Sequence, residues 1–213
     1  MALPRLWPTP EDLRRALQSP LPGRRAQLWM APQPRPMDAD HHDPQLAAVL
    51  VLLYPTDAGW CFPLTLRTNA VATHQGQVSL PGGARQGLES LEHTALRETG
   101  EEIGIATDEV EILGNLTPVY VAVSDFQVFP FVGYLRDKPV FSLNRQEVAE
   151  VLETPLEMLL DERIRHEEDW DLPDGRHFHV PYFLIHGHKV WGATAVILGE
   201  LVWLLRGLAR PER

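Results

Sequence analysis

Residues 80–105 of the chain are LPGGARQGLESLEHTALRETGEEIGI, and the elements around this stretch are placed by reference to it. Ser90 is a good helix cap, the residues after it favour helix, and Gly104 is a natural C-terminal stop. A helix is therefore predicted from Ser90 to Ile103. The tight Pro-Gly-Gly turn just before it is expected to deliver the chain to that helix.

Three acidic side chains share one face of this predicted helix. At about 100° per residue, Glu98, Glu101 and Glu102 lie within an arc of about 100°. Like charges this close repel one another, and Arg97, one turn from Glu101, neutralises only part of the charge. Carboxylates beside a glycine turn are ligands that suit Mg²⁺ or Mn²⁺. The alternative is a solvated helix face, which is the usual explanation of a run of charges.

The hydrophobic pattern outside this segment predicts more strands than helices. The predicted strands are 46–54, 60–66, 109–121, 126–136, 177–185 and 188–191. The other predicted helices are 145–160 and 193–208. Strands and helices do not alternate regularly, so we expect a mixed α+β sandwich and not a doubly wound parallel sheet.

The first 44 residues differ in composition from the rest because they are rich in proline. Thr9-Pro10-Glu11-Asp12 is typical of a helix start, with a threonine cap and proline at the first helical position, and the helix is expected to end near Gln18. We therefore predict an N-terminal arm with a short helix over residues 1–44, followed by one domain over residues 45–210.

The composition excludes several classes of protein. With 213 residues, 44% of them hydrophobic, the chain is expected to be globular and to bury its own core. A formal net charge of −10 argues against nonspecific binding to nucleic acid. The single cysteine, Cys61, excludes an internal disulfide and a cysteine-rich zinc site.

No targeting or membrane segment is expected. The first ten residues lack an apolar run, so they do not resemble a signal peptide. The stretch 193–208 is shorter than the ~20 residues that span a bilayer, and it carries Glu200 and Arg206. It is predicted to be a buried helix of a soluble, cytoplasmic protein.

The spacing of residues 83–105 resembles the Nudix box, the signature of the Nudix hydrolases. That pattern is Gly, five residues, Glu, seven residues, Arg-Glu-U, one residue, Glu-Glu, one residue, Gly-U, where U is a bulky aliphatic residue. Here one U position differs, and it holds Thr99. The resemblance implies a Nudix-type α/β/α sandwich with a mixed β-sheet and a catalytic loop–helix–loop. It also implies divalent-metal-dependent hydrolysis of a nucleoside diphosphate linked to another moiety.

The same resemblance implies roles for individual residues. The implied metal ligands are Glu98, Glu101 (directly or through water), Glu102 and the carbonyl of Gly83. The implied catalytic residues are Glu89, Arg97, Glu98 and Glu101, with Glu89 and Arg97 orienting the ligands. Either Glu98 or a carboxylate on a distant loop would be the general base, and the sequence leaves both open.

Residues 64–83, LTLRTNAVATHQGQVSLPGG, are predicted to form strand, loop and strand before the glycine turn. They also resemble the motif of the coenzyme A pyrophosphatase branch of the Nudix hydrolases. The matching positions are Leu64, Thr65, Arg67, His74, Gly76, Gln77, Val78 and Pro81-Gly82-Gly83, with further similarity at 147–151 and 190–195. The resemblance implies that coenzyme A is split into 3′,5′-ADP and 4′-phosphopantetheine.

The branch resemblance also implies that Arg67, His74 and Gly76 bind substrate. Arg67 has an equal alternative as a strand-end arginine in a surface ion pair, and His74 has one as a residue that orders its loop. The histidines at 177, 179, 186 and 188 are expected to be bystanders. The acidic stretch 161–174 is predicted to be a solvated loop, with the alternative that it supplies the base.

Three functions are considered for a protein with this sequence. The first is hydrolysis of coenzyme A, and the second is the same chemistry on ADP-ribose, another nucleoside diphosphate conjugate or a nucleoside triphosphate. The third is a non-catalytic Nudix-fold binding module, which the intact carboxylates and Arg97 argue against. The expected partner is a small molecule, not nucleic acid or a membrane, and the oligomeric state is left open.

Overall fold

The computed structural model describes residues 8–34, 43–68, 76–172 and 175–209. Its α-helices are α1 (Pro10–Gln18), α2 (Gly23–Gln27), α3 (Leu91–Ile103) and α4 (Gly192–Ala209). Its strands are β1 (Gln45–Thr56), β2 (Gly59–Arg67), β3 (Val78–Ser79), β4 (Gly82–Ala84), β5 (Glu111–Asn115), β6 (Val119–Val121), β7 (Phe126–Tyr134), β8 (Val148–Pro155), β9 (Arg165–Asp171), β10 (His177–Ile185) and β11 (His188–Val190). Short 3₁₀ turns lie at Thr107–Glu109, Leu156–Leu160 and Glu162–Ile164.

The main sheet is mixed and has eight strands, with β1 at its centre. One edge of β1 pairs in parallel with β7, and its other edge pairs antiparallel with β4 and then with β2. A second, antiparallel sheet has the order β11-β10-β9. The predicted α+β sandwich is confirmed, and so is the hairpin of β1 and β2, in which Tyr54 lies opposite Cys61.

The central strand separates two hydrophobic clusters, as its uninterrupted apolar sequence predicts. Leu50 and Leu52 belong to the cluster that includes Ala95 and Ile103 of helix α3. Residues of opposite parity in β1 belong to the larger cluster, which includes α1, α4 and the inner face of the second sheet. Helix α3 is therefore fixed to one face of the main sheet.

The N-terminal helix α1 starts where the sequence predicts. The Thr9 hydroxyl oxygen accepts a hydrogen bond from the Asp12 N–H at 3.1 Å, and the Asp12 carboxylate accepts one from the Thr9 N–H at 3.1 Å. This reciprocal pair satisfies N–H groups that the first turn leaves free. Leu13 and Leu17 are buried in the larger hydrophobic cluster, so the helix packs directly against the body of the protein.

A buried carboxylate ties the N-terminal segment to α4. Glu200 has no exposed surface and accepts hydrogen bonds from the Gly23 N–H (2.9 Å), the Gln27 amide (3.2 Å), the Thr117 N–H (3.1 Å) and the Thr117 hydroxyl (2.7 Å). These hydrogen bonds offset the cost of burying the Glu200 carboxylate, which would otherwise have no partner inside the protein. Glu200 thereby joins three separate parts of the chain.

The helix predicted over residues 145–160 is wrong. The chain there forms β8, which pairs antiparallel with β2, followed by the 3₁₀ turn at Leu156–Leu160. Val148, Leu152 and Thr154 are buried, while Glu150 is exposed. The open edge of β2 offers a full set of backbone partners, and this distant pairing overrides the local preference for helix.

Two other expectations are corrected in the second half of the chain. The predicted solvated loop over 161–174 is wrong for its described part, 161–172, because 165–171 form the edge strand β9 with its carboxylates at the surface. Charged side chains are usual on exposed edge strands, where they prevent pairing with other chains. The strand predicted over 109–121 is two strands, β5 and β6, separated by the segment that holds Thr117 and Pro118.

Among the described helices, α4 alone is long and apolar enough to cross a bilayer, but 61% of it is buried inside the protein. Its residues Ile197, Leu198, Leu201 and Leu205 belong to the larger hydrophobic cluster. The helix therefore has the packing expected of a core helix.

Candidate active site

The site is built where β4 leads into α3, and two glycines allow its close packing. Gly82 has φ of +148°, and a Cβ there would overlap the carbonyl oxygen of Ala48 on β1. A Cβ on Gly83 would lie 2.5 Å from the Glu98 carboxylate oxygen Oε2. The turn is held to β1 by the Leu50 N–H, which donates to the Pro81 carbonyl at 2.9 Å. A larger residue at position 82 would push β4 away from β1, and one at position 83 would displace the Glu98 carboxylate.

Helix α3 begins and ends at the residues that the sequence indicates. The Ser90 hydroxyl oxygen accepts a hydrogen bond from the His93 N–H at 3.1 Å. Gly104 lies in the left-handed region with φ of +69°, and its N–H donates to the Gly100 carbonyl at 2.9 Å. The predicted helix is thus confirmed, and its length fixes the carboxylates relative to the glycine turn.

Glu102 is the most deeply buried carboxylate of the helix, with 3% of its surface exposed. Its Oε2 accepts a hydrogen bond from the Gly82 N–H at 3.2 Å, and its Oε1 lies 3.8 Å from Nη1 of Arg67. Burial raises the pKa of its carboxyl from 4.5 to about 8, and the negative charges of Glu147 and Glu98 act in the same direction. These two partners are not enough to offset removal from water, so a further cation is needed to stabilise the ionised form.

Arg97 binds three of the acidic residues of the motif. Its Nη2 lies 2.8 Å from Glu89 Oε1, and its Nε donates to the other oxygen of Glu89 at 3.1 Å. Its Nη1 lies 2.8 Å from Glu98 and 3.0 Å from Glu101. The hydrogen bonds from Arg97 hold the pKa of Glu89 at about 2, while burial raises the pKa of Glu98. Glu89 therefore remains ionised and fixes the guanidinium beside Glu98.

The structure brings together some of the predicted site residues but not all of them. Glu98, Glu102 and Gly83 lie together, whereas the side chain of Glu101 is 55% exposed and contacts Arg97. Arg67 ends β2 beside Glu102, and its Nε is buried without a hydrogen-bond partner among the described residues. Gly76 adopts a positive φ of +65° just before β3. His74 lies outside the described residues.

The donor set fits a divalent cation, although the side chains do not form a closed cage. Within residues 8–34, 43–68, 76–172 and 175–209, no three His, Cys, Asp or Glu residues are arranged to hold an ion. Glu98 contacts Arg97 instead. The buried carboxylate of Glu102 and the partly buried one of Glu98, both with raised pKa and beside the close-packed Gly83, nevertheless supply the hard oxygen donors that Mg²⁺ and Mn²⁺ prefer. The fit therefore rests on the chemistry of these donors.

Carboxylates elsewhere in the chain differ in their relation to this site. Glu167, Glu168 and Asp169 of β9 contact His179 or Lys189 within the second sheet. Asp161 forms an ion pair with Arg163 at 2.7 Å. These acidic residues of the 161–174 stretch are thus engaged away from α3, which disfavours them as the general base.

Glu147 is a further acidic residue at the site that the sequence did not single out. Its charge contributes to the raised pKa of both Glu98 and Glu102. The signal in the sequence is the similarity of residues 147–151 to the coenzyme A pyrophosphatase branch, and this run follows the site motif by more than forty positions. Nothing local in that run indicates that it approaches α3.

Comparison with known proteins gives matches over most of the chain. A family model described as the NUDIX domain matches residues 44–174. Nudix hydrolase 15, mitochondrial, of Arabidopsis thaliana is 38% identical over 175 residues, which are 78% of this chain and 60% of that protein. The mitochondrial coenzyme A diphosphatase NUDT8 of Homo sapiens is 39% identical over 193 residues and covers 80% of each chain. A protein named uncharacterized Nudix hydrolase NudL, of Pectobacterium atrosepticum, is 37% identical over 180 residues, 83% of this chain and 89% of its own.

A solved structure supports the architecture. The Nudix hydrolase RenU of M. smegmatis superposes with a TM-score of 0.54 and 17% identity, covering 83% of this chain and 98% of that one. At this identity, the likeness extends to the fold alone.

Proposed function

Because this chain belongs to the Nudix hydrolase family, we propose that it hydrolyses the diphosphate bond of coenzyme A or its derivatives, releasing 3′,5′-ADP and 4′-phosphopantetheine. The observation that carries the proposal is the arrangement around Glu102. A carboxylate 3% exposed lies between the Gly82–Gly83 turn and Arg67, where a cation would stabilise the carboxylate and the guanidinium would stabilise a diphosphate.

The choice of coenzyme A has two supports. One is the similarity of residues 64–83 to the coenzyme A pyrophosphatase branch, and the other is the name of the human relative. The chain spans 60% of the Arabidopsis relative but 80% of the human one. Arg67, at the end of this segment, presents its guanidinium beside the α3 carboxylates. A guanidinium there suits a phosphate oxygen of the substrate.

Different residues of the site would have different roles in the reaction. Glu98 and Glu102, with the carbonyl of Gly83, would hold Mg²⁺ or Mn²⁺. When bound, the cation supplies positive charge that offsets the diphosphate and lowers the pKa of water. Arg97, fixed by Glu89, contacts the Glu98 carboxylate and would orient it toward the cation. Glu98 or a carboxylate on a distant loop would take the proton of the attacking water.

A substrate panel tests the proposal directly. The purified protein with Mg²⁺ or Mn²⁺ is expected to release 3′,5′-ADP from coenzyme A, detected by mass spectrometry. Glu102→Gln is expected to lose most of this activity, while Glu92→Gln, which changes an exposed residue of the same helix, retains it. If the protein hydrolysed ADP-ribose but not coenzyme A, the proposed substrate would be wrong, and other nucleoside diphosphate conjugates would replace it.

Three further expectations belong with this proposal. We propose a small-molecule substrate as the partner, with neither nucleic acid nor a membrane involved. The cytoplasmic location and the division into an arm over 1–44 and a domain over 45–210 stay predictions.

A further inference from the structure

A surface cavity of about 290 Å³ lies beside the glycine turn of the site. One wall is formed by residues 43–46 at the start of β1, and the other by Ala84, Arg85 and Gly87, which follow the turn. The Arg85 N–H donates to the Leu46 carbonyl at 2.8 Å and holds the two walls together. Pockets for whole small molecules start at about 300 Å³, so this cavity has room for one part of a larger ligand.

The cavity adjoins the carboxylates of α3. Arg97, which contacts Glu98, also donates from Nη2 to the carbonyl of Ala84 at 3.3 Å. A Cβ on Gly83 would lie 2.5 Å from Glu98 Oε2, so this face of the chain is directed at Glu98. Side chains two positions apart along a strand leave the same face, about 7 Å apart. Arg85 follows Gly83 by two positions, and its side chain therefore starts on the face that carries the site.

Arg85 has a guanidinium that is free to bind a ligand. Its side chain is exposed, and in the part of the chain that the structure describes it has no hydrogen bond or ion pair. Arg97, by contrast, is bound to three carboxylates. A guanidinium binds phosphate through two parallel hydrogen bonds. In a chain of net charge −10, a free arginine beside an acidic site is therefore a candidate for binding an anionic group of the substrate.

The acidic residue of the cavity suits another part of the same ligand. Asp43 lines the opposite wall and forms no ion pair with Arg85 among the described contacts. An ionised carboxylate only accepts hydrogen bonds, so it matches hydroxyl or amino groups. The cavity thus combines a donor for phosphate with an acceptor for the hydroxyl and amino groups of a nucleoside.

The proposed substrate carries a phosphate at the required position. Coenzyme A has a 3′-phosphate on the same ribose whose 5′-oxygen bears the diphosphate. One sugar ring separates the two groups, a separation comparable with that between Gly83 and Arg85 along the strand. ADP-ribose has no 3′-phosphate, so a group that binds it would favour coenzyme A over the alternative substrate.

We infer that this cavity receives the 3′-phosphate of coenzyme A and that Arg85 is the residue that binds it. The inference rests on the proposed function and assigns the choice of substrate to a residue separate from the α3 carboxylates and from Arg67. Arg85 contacts the substrate away from the bond that breaks. It therefore contributes to binding and not to bond cleavage.

Steady-state kinetics with coenzyme A and with 3′-dephospho-coenzyme A test the inference. Arg85→Gln is expected to raise KM for coenzyme A about tenfold to a hundredfold with kcat unchanged, because one hydrogen-bonded charge pair is lost. KM for the 3′-dephospho compound is expected to stay the same. Arg85→Lys keeps the charge but not the forked geometry, and it is expected to restore part of the lost affinity.

Arg136→Gln is the matched control, and it is expected to leave KM for both compounds unchanged. Arg136 is also exposed and lies just after Leu135, whose N–H donates to the Leu53 carbonyl at the end of β1 away from the cavity. An unchanged circular dichroism spectrum shows that the Arg85 variants are folded.

Calorimetric binding of nucleotides gives a readout that does not depend on turnover. The wild type is expected to bind 3′,5′-ADP more tightly than 5′-AMP, since only the former has the 3′-phosphate. Arg85→Gln is expected to bind the two equally. Retention of the wild-type preference in the variant would overturn the inference.

The kinetic outcomes separate this inference from the proposed function. An equal rise of KM for both compounds would mean that Arg85 attracts anions in general, and an unchanged KM for coenzyme A would make it a solvated surface residue. Either result would overturn the inference and leave the proposed function intact. If the wild type does not hydrolyse coenzyme A or its derivatives, the proposed function itself fails.

Discussion

Glu102→Gln is expected to stabilise the metal-free protein while removing its activity. Glu102 is 3% exposed, and burial raises the pKa of its carboxyl from 4.5 to about 8. The folded state therefore holds this proton more tightly than the unfolded chain. It follows that the wild-type protein loses stability as the pH rises through the window from about 4.5 to about 8, and that this contribution is fully favourable only below it.

The size of the effect follows from the two pKa values. Between pH 4.5 and pH 7, each unit is worth about 1.4 kcal/mol. Because the unfolded chain ionises this carboxyl in that range while the folded state keeps it protonated, the burial of Glu102 costs about 3 kcal/mol of stability at pH 7. Glutamine has the shape of the protonated acid and does not titrate. The free energy of unfolding of the variant is thus expected to exceed that of the wild type by about 3 kcal/mol at pH 7, and by little near pH 4.5.

Urea unfolding in EDTA, followed by tryptophan fluorescence at several pH values, measures this difference. Glu92→Gln is the control, since that side chain is exposed on the same helix. Added Mg²⁺ is expected to stabilise the wild type and not Glu102→Gln, because only the carboxylate binds the ion. Two results would refute a burial cost at Glu102. One is that the free energies of unfolding of the wild type and Glu102→Gln fall in parallel as the pH rises, and the other is that Glu102→Gln is less stable than the wild type at pH 7.

Three other substitutions have expected outcomes from the geometry. Gly82→Ala is expected to destabilise the fold by about 3 kcal/mol, because its Cβ would overlap with β1. Gly87→Ala is the control: position 87 also has a positive φ but lies in open space, so this variant is expected to lose only about 1 kcal/mol, and urea unfolding midpoints measure both losses. Glu200→Ala leaves buried donors unpaired and is expected to lose about 3 kcal/mol, against almost nothing for the exposed Glu162→Ala. Arg97→Lys, which cannot reproduce the forked contacts, is expected to lower kcat about tenfold with an unchanged circular dichroism spectrum.

Features set by neighbouring residues could be predicted from the sequence. The cap at Ser90, the stop at Gly104 and the proline start of α1 depend on backbone groups within a few positions, and the structure has all three. The contact between Arg97 and Glu101 also follows from helical spacing alone. The continuous apolar run of β1 correctly indicated burial on both faces.

Features set by distant pairing could not be predicted in this way. Residues 148–155 have the composition of a helix, and they form a strand because β2, whose residues lie 81 to 94 positions earlier than their partners, leaves an edge open. The approach of Glu147 to α3 depends on that same pairing. Glu200 appeared only as a charge in an apolar helix, since its donors come from Gly23, Gln27 and Thr117.

The hydrogen bonds of Glu200 connect α4 to the N-terminal segment, and this connection limits where the protein can be shortened. The stretch common to the family ends at residue 174, before α4, and begins at residue 44, after the donors Gly23 and Gln27. A fragment trimmed to those limits would lose the layer that covers one whole face of the main sheet, and Val51 and Leu53 would meet water. The smallest piece able to fold is accordingly expected to be larger than the residues 44–174 matched by the family model, and any excised catalytic portion has to keep both flanks.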